Sequence, residues 1–121
     1  MVRKGQLEDE VSKALMKFEK EYLGRGPQEV KTFILEDQIY IRLKGVLTPA
    51  EQHLAQTQEG KILIKKIRTQ LLENSRPVLE KMIRDYTGQN VVSLHTDIST
   101  ITGERIMVFT LDDDLEAKLT K

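Results

Sequence analysis

This chain of 121 residues lacks several sequence features that mark common classes of protein. There is no cysteine, which excludes disulfide bonds, thiolate metal ligands and thiol nucleophiles and favours the reducing cytoplasm. No apolar run approaches the ~20 residues of a membrane-spanning helix. The basic residues Arg3 and Lys4 are not followed by the apolar stretch of a signal peptide. The sequence therefore predicts a soluble, cytoplasmic protein without direct membrane insertion.

A net charge of either sign is also missing, because nineteen Lys and Arg residues are balanced by nineteen Asp and Glu residues. A chain of this kind has no general attraction to nucleic acid or to an anionic membrane surface, so we expect no nucleic-acid partner. With 31% charged and 39% hydrophobic residues, the composition is typical of a folded globular protein. Its length fits a single domain over residues 1–121.

The N-terminal segment carries apolar residues at the 3.6-residue spacing of an amphipathic helix. They are Leu7, Val11, Ala14, Leu15, Phe18 and Tyr22. The string Gly-Arg-Gly-Pro at 24–27 ends this helix, because glycine tolerates a positive φ and proline cannot continue a helix. A second helix is predicted to start at Thr48, which is followed by a proline and, three residues on, by a capping-box glutamate.

The second helix is predicted to run to about Tyr86 and is open to a break near Gly60. Its expected buried stripe consists of Ile64, Ile67, Leu71, Leu79, Met82 and Tyr86. Pro77 lies inside the helix and lacks an amide hydrogen, so the helix either kinks there or gives way to another helix capped by Ser75. The stripe keeps its phase across Pro77, which favours the kink.

Alternating residues at 30–35 and 38–43 predict an antiparallel hairpin across the two-residue loop Glu36-Asp37. Glu-Asp is not among the favoured two-residue turns, so a longer loop with another register stays open. The two-residue loop implies three inward pairs: Ile34 with Ile39, Thr32 with Ile41 and Val30 with Leu43.

A second hairpin is predicted to join Val91–Ile98 to Arg105–Leu111 through a five-residue loop that contains Gly103. In that register Asp97 faces Arg105 across the hairpin. The residues Val92, Leu94, Thr96 and Ile98 would then share a face with Ile106, Val108 and Thr110.

Both hairpins would carry apolar side chains on their second face as well as on the face that meets the helices. On that second face lie Phe33, Leu35, Tyr40, Met107, Phe109 and Leu111. A patch of this kind usually marks an interface, and the simplest partner is another copy of the chain, so we expect a homodimer. The alternative is that a short last helix at 115–119, capped by the aspartates at 112–114, folds back over the face.

Together these elements predict an α+β fold of order α-β-β-α-β-β. The two antiparallel hairpins form one sheet, which packs against a long kinked helix and the N-terminal helix. The strings Glu-Tyr-Leu-Gly at 21–24 and Asp-Tyr-Thr-Gly at 85–88 each precede a hairpin. This match suggests an internal α-β-β duplication, with halves at about residues 6–45 and 60–111.

Residues that could carry catalysis are not arranged for it. No serine lies in a Gly-x-Ser-x-Gly elbow, and the glycine spacing of a phosphate or dinucleotide loop does not occur. Alternation puts His95 and Asp97 on one face of a strand, where the carboxylate could orient the ring, but an ion pair of Asp97 with Arg105 explains the pattern as well. Two ligands are too few for zinc. We predict no enzyme, no catalytic residue, no metal and no cofactor.

A set of short strings stands in a recognisable order: Gly-Arg-Gly-Pro at 24–27, Leu-Lys-Gly-Val-Leu-Thr-Pro-Ala-Glu at 43–51, Arg-Pro at 76–77, Thr-Gly at 87–88, His-Thr-Asp at 95–97, Thr-Gly-Glu-Arg at 102–105 and Val-Phe-Thr-Leu at 108–111. Their order and spacing resemble the bacterial MpsC family, also called YbcI-like, over about residues 7–115. The resemblance implies a soluble accessory protein of a Na⁺-translocating, membrane-potential-generating system. Other members of that system are linked to bicarbonate uptake, so membrane transport subunits are the implied partners.

No catalytic residue follows from the resemblance. Within the matching strings, the polar residues expected to bind a ligand are Arg25, Lys44, Arg76, His95 and Asp97. The predicted function is a non-enzymatic accessory or regulatory protein of ion or bicarbonate transport. The alternative left open is a sensor that binds a small anion or a nucleotide in a cleft near Arg25, Arg76 and His95.

Overall fold

The structure, a computed structural model, describes residues 2–120 and has the predicted α+β order with one short helix added. Its helices are α1 (Lys4–Tyr22), α2 (Pro49–Leu54) and α3 (Gln58–Thr87), and its strands are β1 (Glu29–Leu35), β2 (Gln38–Lys44), β3 (Val91–Ile98) and β4 (Arg105–Leu111). A 3₁₀ helix, Glu116–Lys118, follows β4. The prediction of two hairpins in one antiparallel sheet is confirmed, and the strand order is β1-β2-β4-β3.

One face of the sheet, the inner face, packs against α1 and α3 around a single hydrophobic core. Strands β2 and β4 lie in the middle of the sheet, and their inward side chains are the most completely buried ones, because strands in the middle have neighbours on both sides. The other face, the outer face, faces solvent: Phe33 is 53% and Leu35 is 52% exposed.

The first hairpin has the predicted two-residue loop and register. Ile34 pairs with Ile39 across it. Glu36 takes a positive φ of 55°, which is uncommon for a residue with a side chain. Two hydrogen bonds from the 3₁₀ helix hold this turn: the Glu36 amide donates to Oε1 of Glu116 at 3.0 Å, and the Glu116 amide donates to the Glu36 carbonyl at 3.1 Å.

The second hairpin corrects the predicted register by one residue. Its loop covers residues 99–104, one residue more than predicted, so Ile98 rather than Asp97 lies opposite Arg105 and Asp97 lies opposite Ile106. A slip of one residue turns every side chain of a strand to the other face. The prediction that Met107, Phe109 and Leu111 share a face with Phe33 is therefore wrong: all three are buried in the core.

The second helix is broken just before Gly60, an alternative that the sequence left open, and so forms α2 and α3. The side chain of Thr48 completes the expected capping box with Glu51, and Thr57 caps α3 by accepting a hydrogen bond from the Gly60 amide. A Cβ atom on Gly60 would stand 1.8 Å from the carbonyl oxygen of Leu54, so only glycine lets the start of α3 pass the end of α2 so closely.

Helix α3 is continuous across Pro77, so the alternative of another helix capped by Ser75 is wrong. Its buried side follows Ile64, Arg68, Leu72, Leu79 and Ile83. The predicted stripe is thus rotated: Ile67 is 53% and Tyr86 is 44% exposed. Apolar residues flank both sides of the true stripe, and periodicity alone does not choose between them.

The chain ends as predicted with an aspartate cap and a short helix, but this helix does not cover the outer face. Oδ1 of Asp114 accepts a hydrogen bond from the Ala117 amide at 3.0 Å. Leu115 is 2% exposed and belongs to the core beneath the sheet. The alternative of a terminal helix folded over Phe33 is therefore wrong.

The corrected register makes a direct prediction about two phenylalanines. Phe109→Ala should lower the free energy of unfolding by about 3–5 kcal/mol, because it leaves a cavity in a dense core. In the monomer, Phe33→Ala should cost less than about 1 kcal/mol, because half of that ring is in water in the single chain. Urea unfolding followed by circular dichroism measures both, and equal losses would contradict the register.

Candidate functional site

Three charged side chains are buried in the core beside the apolar ones. Glu19 of α1 is 1% exposed, Arg68 of α3 is 3% exposed and Arg105 of β4 is 2% exposed. These three residues, called here the buried charge cluster, influence one another electrostatically. Charged groups are almost never fully buried unless they are paired, so each one needs an account of what surrounds it.

Arg68 has a complete set of partners. Its Nε donates to Oε2 of Glu51 at 2.8 Å, and its Nη2 donates to the carbonyl oxygen of Val46 at 2.8 Å. Burial opposes ionisation of Glu51, but the hydrogen bonds from Arg68 and from the Thr48 amide outweigh it and lower the pKa of that carboxyl below its usual value. Arg68 therefore ties α3 to the capped start of α2.

Arg105 is buried as deeply but is not matched in this way. Its Nη1 donates to the side chain of Thr96 at 2.9 Å, while its Nε has no hydrogen-bond partner among residues 2–120. No carboxylate of the described chain forms a salt bridge with it. Burial lowers the pKa of this guanidinium and repulsion from Arg68 adds to the effect, while attraction to Glu19 opposes it.

Glu19 is the third member, and its carboxylate is also without partners. Neither oxygen accepts a hydrogen bond from any described residue. Burial raises the pKa of Glu19 from 4.5 to about 7, although the positive charges of Arg105 and Arg68 act in the opposite direction. The carboxyl group of Glu19 therefore changes its charge near neutral pH.

A cavity of about 320 Å³ opens between α3 and the edge strand β3, and Arg105 forms part of its wall. This cavity, called here the α3–β3 pocket, is lined by Lys65, Thr69, Leu72, Glu73, Leu94, His95, Thr96, Asp97, Ile98 and Arg105. A slightly larger cavity of about 390 Å³ beside the 99–104 loop has Lys61 as its one charged lining residue. The α3–β3 pocket is the one that combines a deeply buried charge with hydroxyl groups at its wall.

Two of the sequence-predicted ligand residues, His95 and Asp97, line this pocket. Both are exposed on β3 and point from the outer face, as alternation predicted. Oδ1 of Asp97 lies 3.5 Å from Nζ of Lys65. The predicted position of Asp97 opposite Arg105 is wrong, because Asp97 lies opposite Ile106. Its Oδ1 also accepts a hydrogen bond from the Ile98 amide at 2.8 Å.

The other three predicted residues lie in separate environments. Nη1 of Arg25 donates to the carbonyl oxygen of Leu47 at 3.0 Å, which ties the loop after α1 to the segment before α2. Lys44 pairs with Glu29 across the first hairpin at 3.6 Å. Arg76 lies near Glu73 and Glu80 along its own helix, at 3.9 Å and 3.4 Å. The structure therefore does not bring Arg25, Arg76 and His95 into one cleft.

Sequence reasoning missed the buried charge cluster, although a signal for it exists. Glu19 follows Leu15 by four residues and so falls on the apolar stripe of α1, and Arg68 follows Ile64 in the same way. Arg105 alternates with Met107 and Phe109 along β4. A charge in phase with buried neighbours is the signal, but the wrong register of β4 concealed it for Arg105.

Among residues 2–120 no group of three or more His, Asp or Glu side chains is placed to hold a metal ion. Within the same range no helix is long and apolar enough to cross a membrane. The fold and the pocket together define an α+β protein with one half-covered antiparallel sheet and a buried arginine beside a cavity.

Comparison with known proteins gives the family. Residues 3–113 match the family described as "Na+-translocating membrane potential-generating system (MpsC)", and the chain belongs to the MpsC family. It is similar to the uncharacterized protein YbcI of Bacillus subtilis, with 49% identity over 118 residues that cover 98% of this chain and 95% of YbcI. The uncharacterized protein YrhF of the same organism is 29% identical over 109 residues, with 88% of each chain covered. No solved structure matches the chain.

The raised pKa of Glu19 predicts an unusual pH dependence of stability. The folded protein holds this proton more tightly than the unfolded chain, so its contribution to stability is complete below about pH 4.5 and is lost as the pH rises towards about 7. Since one pKa unit corresponds to about 1.4 kcal/mol, the loss is up to about 3 kcal/mol.

Replacing Glu19 with glutamine removes this titration while keeping the shape of the side chain. The difference in free energy of unfolding between Glu19→Gln and wild type should shift in favour of the variant between pH 5 and pH 8, measured by urea unfolding. Glu21→Gln, at an exposed position of the same helix, is the matched control and should follow wild type. A difference that does not change with pH would refute the raised pKa.

Proposed function

We propose that this chain is a non-enzymatic, cytoplasmic accessory protein of a Na⁺-translocating, membrane-potential-generating system, and that it assists ion or bicarbonate transport by binding protein. Membership of the MpsC family supports the connection to the system. The observation that supports binding to another protein is the outer face of the sheet, where apolar side chains remain exposed to solvent.

The outer face has an apolar centre and polar margins. Cross-strand pairing places Phe33 beside Tyr40, Tyr40 beside Val108, and Val108 beside His95 in one row across all four strands. Leu35 extends this surface at 52% exposure. Contiguous exposed apolar surface on a folded protein usually serves binding, because leaving it in water costs free energy.

We infer that the first partner of this face is a second copy of the chain. Two copies of the chain carry the same outer face. These two faces can therefore pack against each other around a two-fold axis. The charges at the margin do not oppose this arrangement. Arg42 is neutralised within its own chain by Glu104 at 2.6 Å, and Glu29 lies 3.5 Å from Lys31.

The oligomeric state tests the use of the outer face. Phe33→Lys should convert a dimer into a monomer, measured by sedimentation velocity over a range of concentrations, because it places a charge within the packed apolar surface. Ile62→Lys is the matched control, since Ile62 is 59% exposed on α3, away from the outer face, and this variant should stay dimeric. A wild-type protein that is monomeric at all concentrations, or equal effects of both substitutions, would refute the interface.

Association with the membrane system is tested in a native host. After mild chemical cross-linking of intact cells, affinity purification of the wild-type chain should enrich subunits of a Na⁺-translocating membrane protein. If the wild-type chain enriches no membrane transport subunit above an untagged control, the accessory role is wrong.

A further inference from the structure

Arg105 is a buried positive charge that no carboxylate of the described chain contacts directly. The two buried arginines differ: Arg68 is held by Glu51 through direct hydrogen bonds, while Arg105 has a single hydrogen bond to a neutral hydroxyl group. A buried charge without a paired, hydrogen-bonded counterion is costly. Its environment is therefore suited to a negative group supplied from outside the chain.

Glu19 does not fill this role as a direct partner. Its two carboxylate oxygens accept no hydrogen bond from any described residue, and no salt bridge joins it to Arg105. Its raised pKa of about 7 means that the group gains little from Arg105 compared with the cost of its own burial. Arg105 thus keeps unused donor capacity next to the cavity that it lines.

The α3–β3 pocket supplies further donors around Arg105. Thr96, which already accepts from Nη1 of Arg105, lies on the pocket wall, and Thr69 of α3 contributes a second hydroxyl group. Lys65, which is half exposed and lies 3.5 Å from Asp97, adds an ammonium group to the lining. A guanidinium with nearby hydroxyl and ammonium donors is the arrangement that proteins use to hold carboxylates and other oxyanions.

The rest of the lining selects among anions. Asp97 and Glu73 put two carboxylates on the same pocket, and their repulsion grows with the charge of the ligand, so a doubly charged phosphate or sulfate is disfavoured relative to a singly charged carboxylate. The remaining wall is apolar, formed by Leu72, Leu94 and Ile98, and such a wall can bury the hydrocarbon part of a ligand. The volume of about 320 Å³ is at the small end of ligand pockets.

We propose that the α3–β3 pocket binds a small organic monocarboxylate, whose carboxylate contacts Arg105 and whose apolar body packs on the walls from α3 and β3. This proposal is independent of the outer face and of the membrane system. It assigns Arg105, Thr69, Thr96 and Lys65 as the binding groups and leaves the chemistry of the ligand unchanged, since no covalent step is involved.

Butyrate is the probe, with butyramide as its neutral analogue and phosphate as the multiply charged oxyanion. In ¹H–¹⁵N spectra of the wild-type chain, butyrate should shift the Arg105 Nε–H signal and the Thr96 amide in a saturable way. Butyramide should bind at least about tenfold more weakly, since it lacks the charge-assisted hydrogen bond, which contributes roughly that much. Phosphate should also bind more weakly than butyrate, because its second negative charge is repelled by Asp97 and Glu73. Equal binding of butyramide or phosphate, or no saturable shift with butyrate, would overturn the proposal.

Variants separate the pocket from general charge effects. Lys65→Gln should weaken butyrate binding roughly two- to fivefold, as expected for a half-exposed ion pair. Lys66→Gln, the exposed neighbouring lysine that does not line the pocket, should leave it unchanged. Equal weakening by both substitutions would show a non-specific charge effect and overturn the assignment.

Arg105→Lys tests the central contact, because a lysine keeps the charge but loses the planar fork, and it should weaken binding at least about tenfold. Should this buried substitution prevent folding, Thr69→Val tests the pocket at an exposed position of α3. Removal of that hydroxyl group should weaken butyrate binding about two- to tenfold with little change in melting temperature. Unchanged affinity in Thr69→Val would contradict the placement of the ligand.

Discussion

The register of β4 against β3 is the constraint on which both the core and the candidate site depend. The loop between these strands is one residue longer than the sequence predicted, and this turns Arg105, Met107 and Phe109 inward together. Two of these side chains complete the apolar core under the middle of the sheet, and the third places a guanidinium in that core. The strand pairing that stabilises the fold therefore also buries a guanidinium group that has no counterion in direct contact.

The contrast between the two buried arginines explains why one is structural and the other is a candidate for binding. Arg68 reaches Glu51, which is itself part of the capping box that starts α2, so its charge is matched by the fold. Arg105 receives one hydrogen bond to a hydroxyl group, and the charges of Glu19 and Asp97 attract it without forming a salt bridge. A fold that satisfies one buried charge fully and leaves another beside a cavity is consistent with a role for the second in binding.

The two faces of the sheet suggest a division of tasks. On the inner face, α1 and α3 bury the core, and α3 leaves a gap along β3 in which the pocket lies. On the outer face, Phe33 and Leu35 are exposed to solvent in the single chain, although the core does not need apolar residues at these positions. A small member of the MpsC family could thus respond to a ligand on one side and bind protein on the other, with the sheet connecting the two sites.

Much of the fold was determined by local sequence. The apolar stripe of α1 from Leu7 to Phe18 and the capping box at Thr48 each act over a few residues, and the structure confirms both. Such features depend on backbone geometry and neighbouring side chains, which the sequence states directly. The family resemblance is confirmed by the match of residues 3–113 to the MpsC family, which depends on the sequence alone.

What only the tertiary structure decided is the pairing of distant residues. The loop at 99–104 has no residue pattern that fixes its length. Alternation along β4 therefore did not determine on which face of the sheet the side chain of Arg105 lies. The burial of Glu19 and Arg68, and the meeting of α3 with β3 around the pocket, depend on which helix side turns to the sheet. Several apolar residues on α3 allow more than one choice, and only packing of the whole chain selects one of them.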